Sequence, residues 1–262
     1  MHIRSYGQDP SRAAVIHGGP GAPGTVAAIA RVLSEHIGVL EPIQTKTTLE
    51  GQISELFETL KAYADKPITL IGHSWGAWLA YLTALRHPSI VKKLILVGCP
   101  PFEQKYVPSL RENRLKRLSN EDAKEFKLII EELNSPSSTH NKNNYVRLSE
   151  LVTESDSFDV LNNQQEDQDK VIVKSNEFIP VWKEAAELRK MGLLIEYADQ
   201  LQCPVAAIHG DHDPHPFEGV KKPLENALDD FHFYLLEKCG HSPWKERFAK
   251  DSFYNILKQE II

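Results

Sequence analysis

Along the first hundred residues, short apolar runs alternate with longer stretches whose apolar positions recur at helical spacing. Residues 12–17 (Arg-Ala-Ala-Val-Ile-His) predict a short buried strand, and a glycine-rich loop at 18–24 follows directly. Residues 25–36 predict a helix and 38–42 a strand. From 49 to 64 the apolar positions Leu49, Ile53, Leu56, Phe57, Leu60 and Tyr63 lie on one helical face. Residues 68–71 are apolar and β-branched enough for a strand buried on both faces, 77–86 form a helix with almost no polar side, and 91–98 predict another strand. This β-α rhythm implies a parallel sheet covered by helices.

Beyond Pro101 the rhythm stops. Residues 102–200 hold no convincing buried strand, only charged amphipathic helices around 107–118, 121–133 and 180–190, with polar tracts at 135–144 and 162–169 that read as loops. Arg111, Arg114, Lys116 and Arg117 are interspersed with acidic residues and read as a solvated helix face. The sheet pattern resumes at 203–210, then a helix near 217–228, a strand at 231–237 and a closing amphipathic helix from 245 to about 261. The expected organisation is one α/β domain in two parts, 1–101 and 201–262, with a helical cap inserted at 102–200.

A net charge of -6 and a pI near 6.0 offer no electrostatic attraction to nucleic acid or anionic membrane, so a small molecule or short peptide is the expected partner. No apolar run approaches the about 18 to 20 residues that a membrane span needs, and residues 1–10 lack a signal-peptide core. The expected location is the cytoplasm. Cys99, Cys203 and Cys239 are odd in number and widely spaced, which suits reduced thiols at strand ends.

The chemistry centres on Gly72-His73-Ser74-Trp75-Gly76, a Gly-x-Ser-x-Gly turn between a predicted strand and helix. A serine trapped there sits on a sharp turn with its hydroxyl projecting from the sheet, beside a helix N-terminus that favours developing negative charge. Such a hydroxyl needs a base, and the base needs a third group to fix its tautomer. Both should lie at the carboxyl ends of parallel strands. Asp213 lies just past the strand ending at His209, and His241 just past the strand ending at Glu237. Among rival histidines, His73 lies inside the elbow and should point away, His209 is on a strand, and His212 and His215 share the acid's loop. Asp211 competes with Asp213 but reads as capping the turn. For the oxyanion, one amide is expected from Trp75; Pro20 has no N–H, so the other must come from a glycine of this loop, and Gly19 is the expected one.

The same loops offer residues for two other chemistries. Gly19, Gly21 and Gly24 with Glu41 fit a dinucleotide-binding pattern, yet Pro20 and Pro23 remove two N–H groups from the loop that would cradle pyrophosphate. His209, Asp211, His212, Asp213 and His215 match no familiar metal spacing. No metal or cofactor is expected.

The segments at 17–21, 72–76, 209–213 and 240–244 together resemble the α/β-hydrolase superfamily, and within it the proline iminopeptidase branch. The resemblance implies an α/β-hydrolase fold, the chain order Ser74, Asp213, His241, and Asp213 rather than Asp211 as acid. It also implies a helical cap between the sixth and seventh strands. The N-terminus has room for one small strand where the family has a longer opening hairpin. An aminopeptidase of this kind needs cap carboxylates for the substrate's ammonium, and Glu131, Glu132, Glu150, Glu154, Glu184 and Glu187 are available. The expected activity is ester or amide hydrolysis through an acyl-enzyme. Carboxylesterases and carbon-carbon bond hydrolases share these loops, and a non-catalytic receptor that keeps the triad is the rival from another class.

Overall fold

The computed structural model describes residues 2–134, 142–161, 169, 171 and 175–261. Seven strands, β1 His2–Tyr6, β2 Ser11–Ile16, β3 Gly38–Ile43, β4 Ile68–His73, β5 Val91–Val97, β6 Val205–Gly210 and β7 Phe231–Leu236, form one sheet in the order β1-β3-β2-β4-β5-β6-β7. All neighbours are parallel except β1, which runs antiparallel to β3.

The period-2 geometry of a strand sorts the central residues into two apolar layers. Ala14, Ile16, Leu70, Leu94, Leu96, Val205 and Ala207 face one layer, while Ala13, Val15, Ile71, Ile95, Val97, Ala206 and Ile208 face the other. Helices α2 (Leu49–Tyr63) and α3 (Trp75–Arg86) cover the first face; α1 (Ala27–Leu33) and the C-terminal helix cover the second. Burial on both faces explains why these strands read as continuous apolar runs rather than alternating ones.

Among the described residues, the chain between β5 and β6, here termed the cap for its place in the sequence, holds α4 (Val107–Arg117), α5 (Asn120–Asn134), α6 (Lys142–Asp156), α7 (Ile179–Lys190) and the single turn α8 (Leu193–Glu196); α9 (Glu218–Ala227) and α10 (Lys250–Ile261) then complete the core. Leu118 with Phe126 and Ile129 of α5 and Leu151 of α6 form a small apolar core within the cap. By contrast, Val181 and Ala185 of α7 join the core that covers α2 and α3.

Three expectations are corrected. The cap lies between the fifth and sixth strands rather than the sixth and seventh, because the one small strand β1 stands where a hairpin was the family pattern. Helix α6 was missed: its first three residues, Lys142-Asn143-Asn144, belong to a tract that reads as a loop, and the polar residues disguise the helical start. The rest of that tract and most of 162–169 lie outside the described residues. Arg114 is not a solvated charge, since it forms a two-pronged ion pair with Asp156 at 2.8 and 2.7 Å, and Arg117 donates to the Ser155 carbonyl at 3.1 Å.

Candidate active site

The carboxyl edge of the sheet collects the predicted residues: the glycine-rich loop follows β2, Ser74 follows β4, Asp213 follows β6 and His241 follows β7. Ser74 has φ 54° and ψ -120°, an unfavourable region for a residue with a side chain, and its amide donates to the Val97 carbonyl at 2.9 Å. The turn is too tight for a Cβ at either Gly72 or Gly76. One on Gly72 would come 2.2 Å from the Gly76 carbonyl oxygen, and one on Gly76 would come 2.3 Å from that of Ile16. Trp75 opens α3, so its N–H is among those with no acceptor inside the helix. The glycine-rich loop passes over the nucleophile, where a Cβ on Gly18 would sit 3.2 Å from Ser74 Cβ. Gly19 turns the loop with φ +108°.

His17 props that loop from beneath. Its Nδ1–H donates to the Gly18 carbonyl at 2.9 Å and its Nε2 accepts from the Gln44 amide at 3.3 Å. Burial pushes its pKa down to about 4, so it stays neutral and keeps this donor-acceptor pattern.

Asp213 is wholly buried beneath the edge. Its Oδ2 accepts from His241 Nδ1 at 2.7 Å, and its Oδ1 accepts from both the Nδ1 and the backbone N–H of His215, at 2.7 and 2.9 Å. His209 Nε2 lies 3.4 Å from Oδ2 while donating to the His215 carbonyl at 2.9 Å. Burial alone would raise the Asp213 pKa, but the surrounding imidazoles hold it well below the usual carboxylate range. Asp211 is turned away and accepts from the Cys239 amide at 3.1 Å.

His241 is held at three points. Its side chain meets Asp213, its N–H donates to the Asp156 carbonyl of the cap at 2.7 Å, and its carbonyl accepts from His73 Nε2 at 3.0 Å. Burial works to lower its pKa, but the charge and hydrogen bond of Asp213, with Asp156 adding to them, carry it above the ordinary value. His73 therefore does not point away: its ring packs 4.7 Å from that of His241 and 4.6 Å from that of Trp244. The side chains of the rival metal reading also disperse, because Asp211 serves a turn and His212 packs edge-on against Phe158. Asp213, His215 and His241 stay close, with their facing atoms engaged in hydrogen bonds to one another. Glu41 lies buried away from this edge, accepting from Tyr6 at 2.7 Å, which removes the acid of the dinucleotide alternative.

Two cap contacts at the histidine loop carried no motif to reveal them. Glu246 accepts from the amides of Phe158, Asp159 and Gly240, at 2.9, 2.7 and 3.1 Å, and ties the cap to the base. The Arg114–Asp156 pair anchors the same stretch of cap. Neither was legible because each rests on partners about 40 or more positions away in the chain. The cap also brings apolar cover: Trp182 stacks on Trp78 at 5.6 Å, and a Cβ on Gly21 would lie 2.6 Å from the Phe178 ring.

Matched over residues 51–247 is the family model described as the alpha/beta hydrolase fold. The chain belongs to the α/β-hydrolase family. Human monoacylglycerol lipase ABHD6 is 25% identical over 217 residues, a match spanning 82% of this chain and 62% of that protein. Among solved structures, VinJ superposes with a TM-score of 0.74 at 16% identity, covering 99% of this chain and 93% of its own. Proline iminopeptidase from Mycobacterium smegmatis superposes with a TM-score of 0.66 at 16% identity, covering 98% and 92%. These two likenesses are of fold. Among the described residues, no helix of this α/β-hydrolase is long and apolar enough to cross a membrane.

Acid should destabilise this protein more than its fold alone would suggest. His17 and His215 have pKa values lowered by burial to about 4, and burial also lowers those of His73 and His209. An unfolded chain would protonate these side chains near pH 6.5. Between about pH 6.5 and 4 the unfolded state therefore binds more protons, and stability present above 6.5 is lost as pH falls, by several kcal/mol. His241 acts in the opposite sense, with its contribution full below 6.5 and lost above its raised pKa, but it is one group against four. Urea midpoints measured from pH 7.5 to 4.5 should fall once the pH drops below about 6.5. A constant midpoint would mean that these rings are not held neutral.

Proposed function

We propose that this α/β-hydrolase is a serine esterase that cleaves a carboxylic ester with an apolar acyl or leaving group through an acyl-enzyme. Ser74 attacks the carbonyl, and His241 Nε2, the ring nitrogen not bound by Asp213, accepts its proton. Asp213 fixes the tautomer and stabilises the imidazolium, while the Gly19 and Trp75 amides hold the oxyanion. His241 then protonates the departing alkoxide, and water, deprotonated by the same imidazole, releases the acid. Among the described residues the Ser74 hydroxyl has no hydrogen-bond partner, and a contact of this type commonly closes as substrate binds.

The observation that carries this reading is the 2.7 Å His241–Asp213 contact on the sheet edge from which the strained Ser74 projects. The choice of ester over amino-terminal peptide rests on the cap. Glu131, Glu132 and Glu154 are exposed; Glu150 pairs with Arg147, Glu187 with Lys190, and Glu184 accepts from the Leu49 amide at the start of α2. The buried cap carboxylate beside His241, Asp156, is already neutralised by Arg114. Beside His241 the cap thus offers, among the described residues, no unpaired buried carboxylate to take a substrate ammonium, whereas Trp182 and Phe178 favour an apolar group. The human relative's name, monoacylglycerol lipase, agrees with ester cleavage.

The test compares a short-chain aryl ester with a proline arylamide bearing a free amine, each with wild type and Ser74→Ala. Ester hydrolysis that depends on Ser74 and exceeds arylamide hydrolysis by about 100-fold or more is expected, the equivalent of one lost charged contact. Preference for the arylamide would overturn the esterase reading and turn attention back to the cap glutamates. Turnover of neither would favour a receptor.

A further inference from the structure

Asp213 serves two imidazoles, and the proposed reaction uses one of them. His215 lies two residues beyond the acid, wholly inside the protein, and donates to the Asp213 oxygen that His241 does not touch. Its ring is stacked on that of His241, with centroids 4.7 Å apart and planes 26° from parallel. The His215 carbonyl is in turn held by His209. A carboxylate can only accept, so both Nδ1 atoms carry hydrogen, and the carboxylate plane is pinned between two parallel donors.

We propose that His215 is a positioning residue for the base: it holds the Asp213 carboxylate in line with His241 Nδ1 and, by sharing its negative charge, keeps His241 from becoming too basic. This inference rests on reading Ser74, Asp213 and His241 as the triad. Without the His215 ring, Oδ1 would keep only the His215 backbone N–H, and the carboxylate would be held less firmly in the plane that meets His241. It would also present more of its charge to His241, whose imidazolium form would then be favoured. A base already protonated at working pH cannot accept the serine proton.

The groups facing His241 come from several elements. Asp213 and His215 lie on the loop after β6 and His73 in the elbow, while Asp156 and Arg114 belong to the cap. Asp213 and Asp156 favour the charged imidazole and Arg114 opposes it. His215 itself is kept neutral by burial, with its pKa lowered to about 4, so it acts as a donor and not as a competing cation.

Two substitutions separate positioning from packing. His215→Leu keeps the bulk and removes the donor, whereas His215→Asn places an amide N–H where the imidazole Nδ1–H was. Two readouts suffice: the pH dependence of labelling by a fluorophosphonate probe, which reports Ser74 nucleophilicity, and hydrolysis of an aryl ester. For His215→Leu we expect rates reduced by about 10- to 100-fold, the value of a hydrogen bond to a charged group. The acid limb of the profile should also move to higher pH, because His241 becomes more basic. His215→Asn should restore most of both. Proton NMR offers a check that needs no reaction and no stable leucine variant: beyond the signals of carbonyl-bonded rings, wild type should show two far-downfield N–H signals from imidazoles bonded to the Asp213 carboxylate, and His215→Asn one.

Unchanged profiles and rates in a folded His215→Leu would overturn the inference, as would a single carboxylate-bonded imidazole signal in wild type. Equal impairment of the leucine and asparagine variants would reduce His215 to packing and overturn it too. Ser74→Ala is run in parallel. If it keeps activity, the triad reading itself has failed; if it is inactive and His215→Leu behaves as wild type, only the role of His215 has.

Discussion

Ser74→Ala should lower aryl ester turnover by about four orders of magnitude or more while leaving the folding midpoint nearly unchanged. The rate prediction follows from the proposed role of Ser74 as the nucleophile that the Asp213–His241 pair activates. The stability prediction follows from its surroundings: the side chain is partly exposed, and among the described residues its hydroxyl makes no hydrogen bond that the substitution would break. Alanine would inherit the same φ of 54° and the same strain, so the elbow has no reason to relax. Steady-state kinetics and urea denaturation on one preparation check both halves. Turnover like that of wild type would end the mechanism, and a folding midpoint shifted by several kcal/mol would mean that the elbow depends on the hydroxyl.

The second large effect is expected from Asp213→Asn, and hydrogen-bond bookkeeping gives its direction. In the native site Oδ1 accepts two hydrogens from His215, one from the ring and one from the backbone, whereas Oδ2 accepts one ring hydrogen from His241. Asparagine offers one acceptor oxygen and one donor nitrogen. Its oxygen will take the side with two donors, which turns its NH2 towards His241. Two donors cannot face each other at 2.7 Å, so the His241 proton must move from Nδ1 to Nε2. The ring then presents a hydrogen, not a lone pair, to Ser74. A loss of about 10,000-fold is expected, with the folded structure kept. Fluorophosphonate labelling should fall in parallel, because it needs the same activated hydroxyl. Loss of less than about tenfold would mean that His241 is not held by Asp213 during the reaction.

Much of this molecule is local and therefore legible along the chain. A strand followed by Gly-x-Ser-x-Gly and a helix is defined by sterics within a few residues. Strands buried on both faces show as apolar runs, helices α2 and α7 show through periodicity, and α3 shows through helix formers with almost no polar side. Asp213 could be preferred over Asp211 because Asp213 matches the last aspartate of the motif at 209–213. Helix α6 stayed hidden because its polar start looks like a loop, and what compensates for weak local preference is packing of Leu151 within the cap.

The sequence by itself determined the layered sheet, the order of the three candidate catalytic residues and the strained turn under Ser74, since each follows from spacing, glycine sterics or strand burial. Only the tertiary structure decided how the base is held. The contacts of His241 with Asp156 and His73, the staple of Glu246 and the cap's ion pair join residues far apart in sequence, while His215 is near Asp213 yet gains its partner through the loop's three-dimensional path. A histidine or glutamate reads the same whether it meets water or a buried partner. What distinguishes them is the loss of solvent and the direction of each donor, and both come into being when the chain closes on itself.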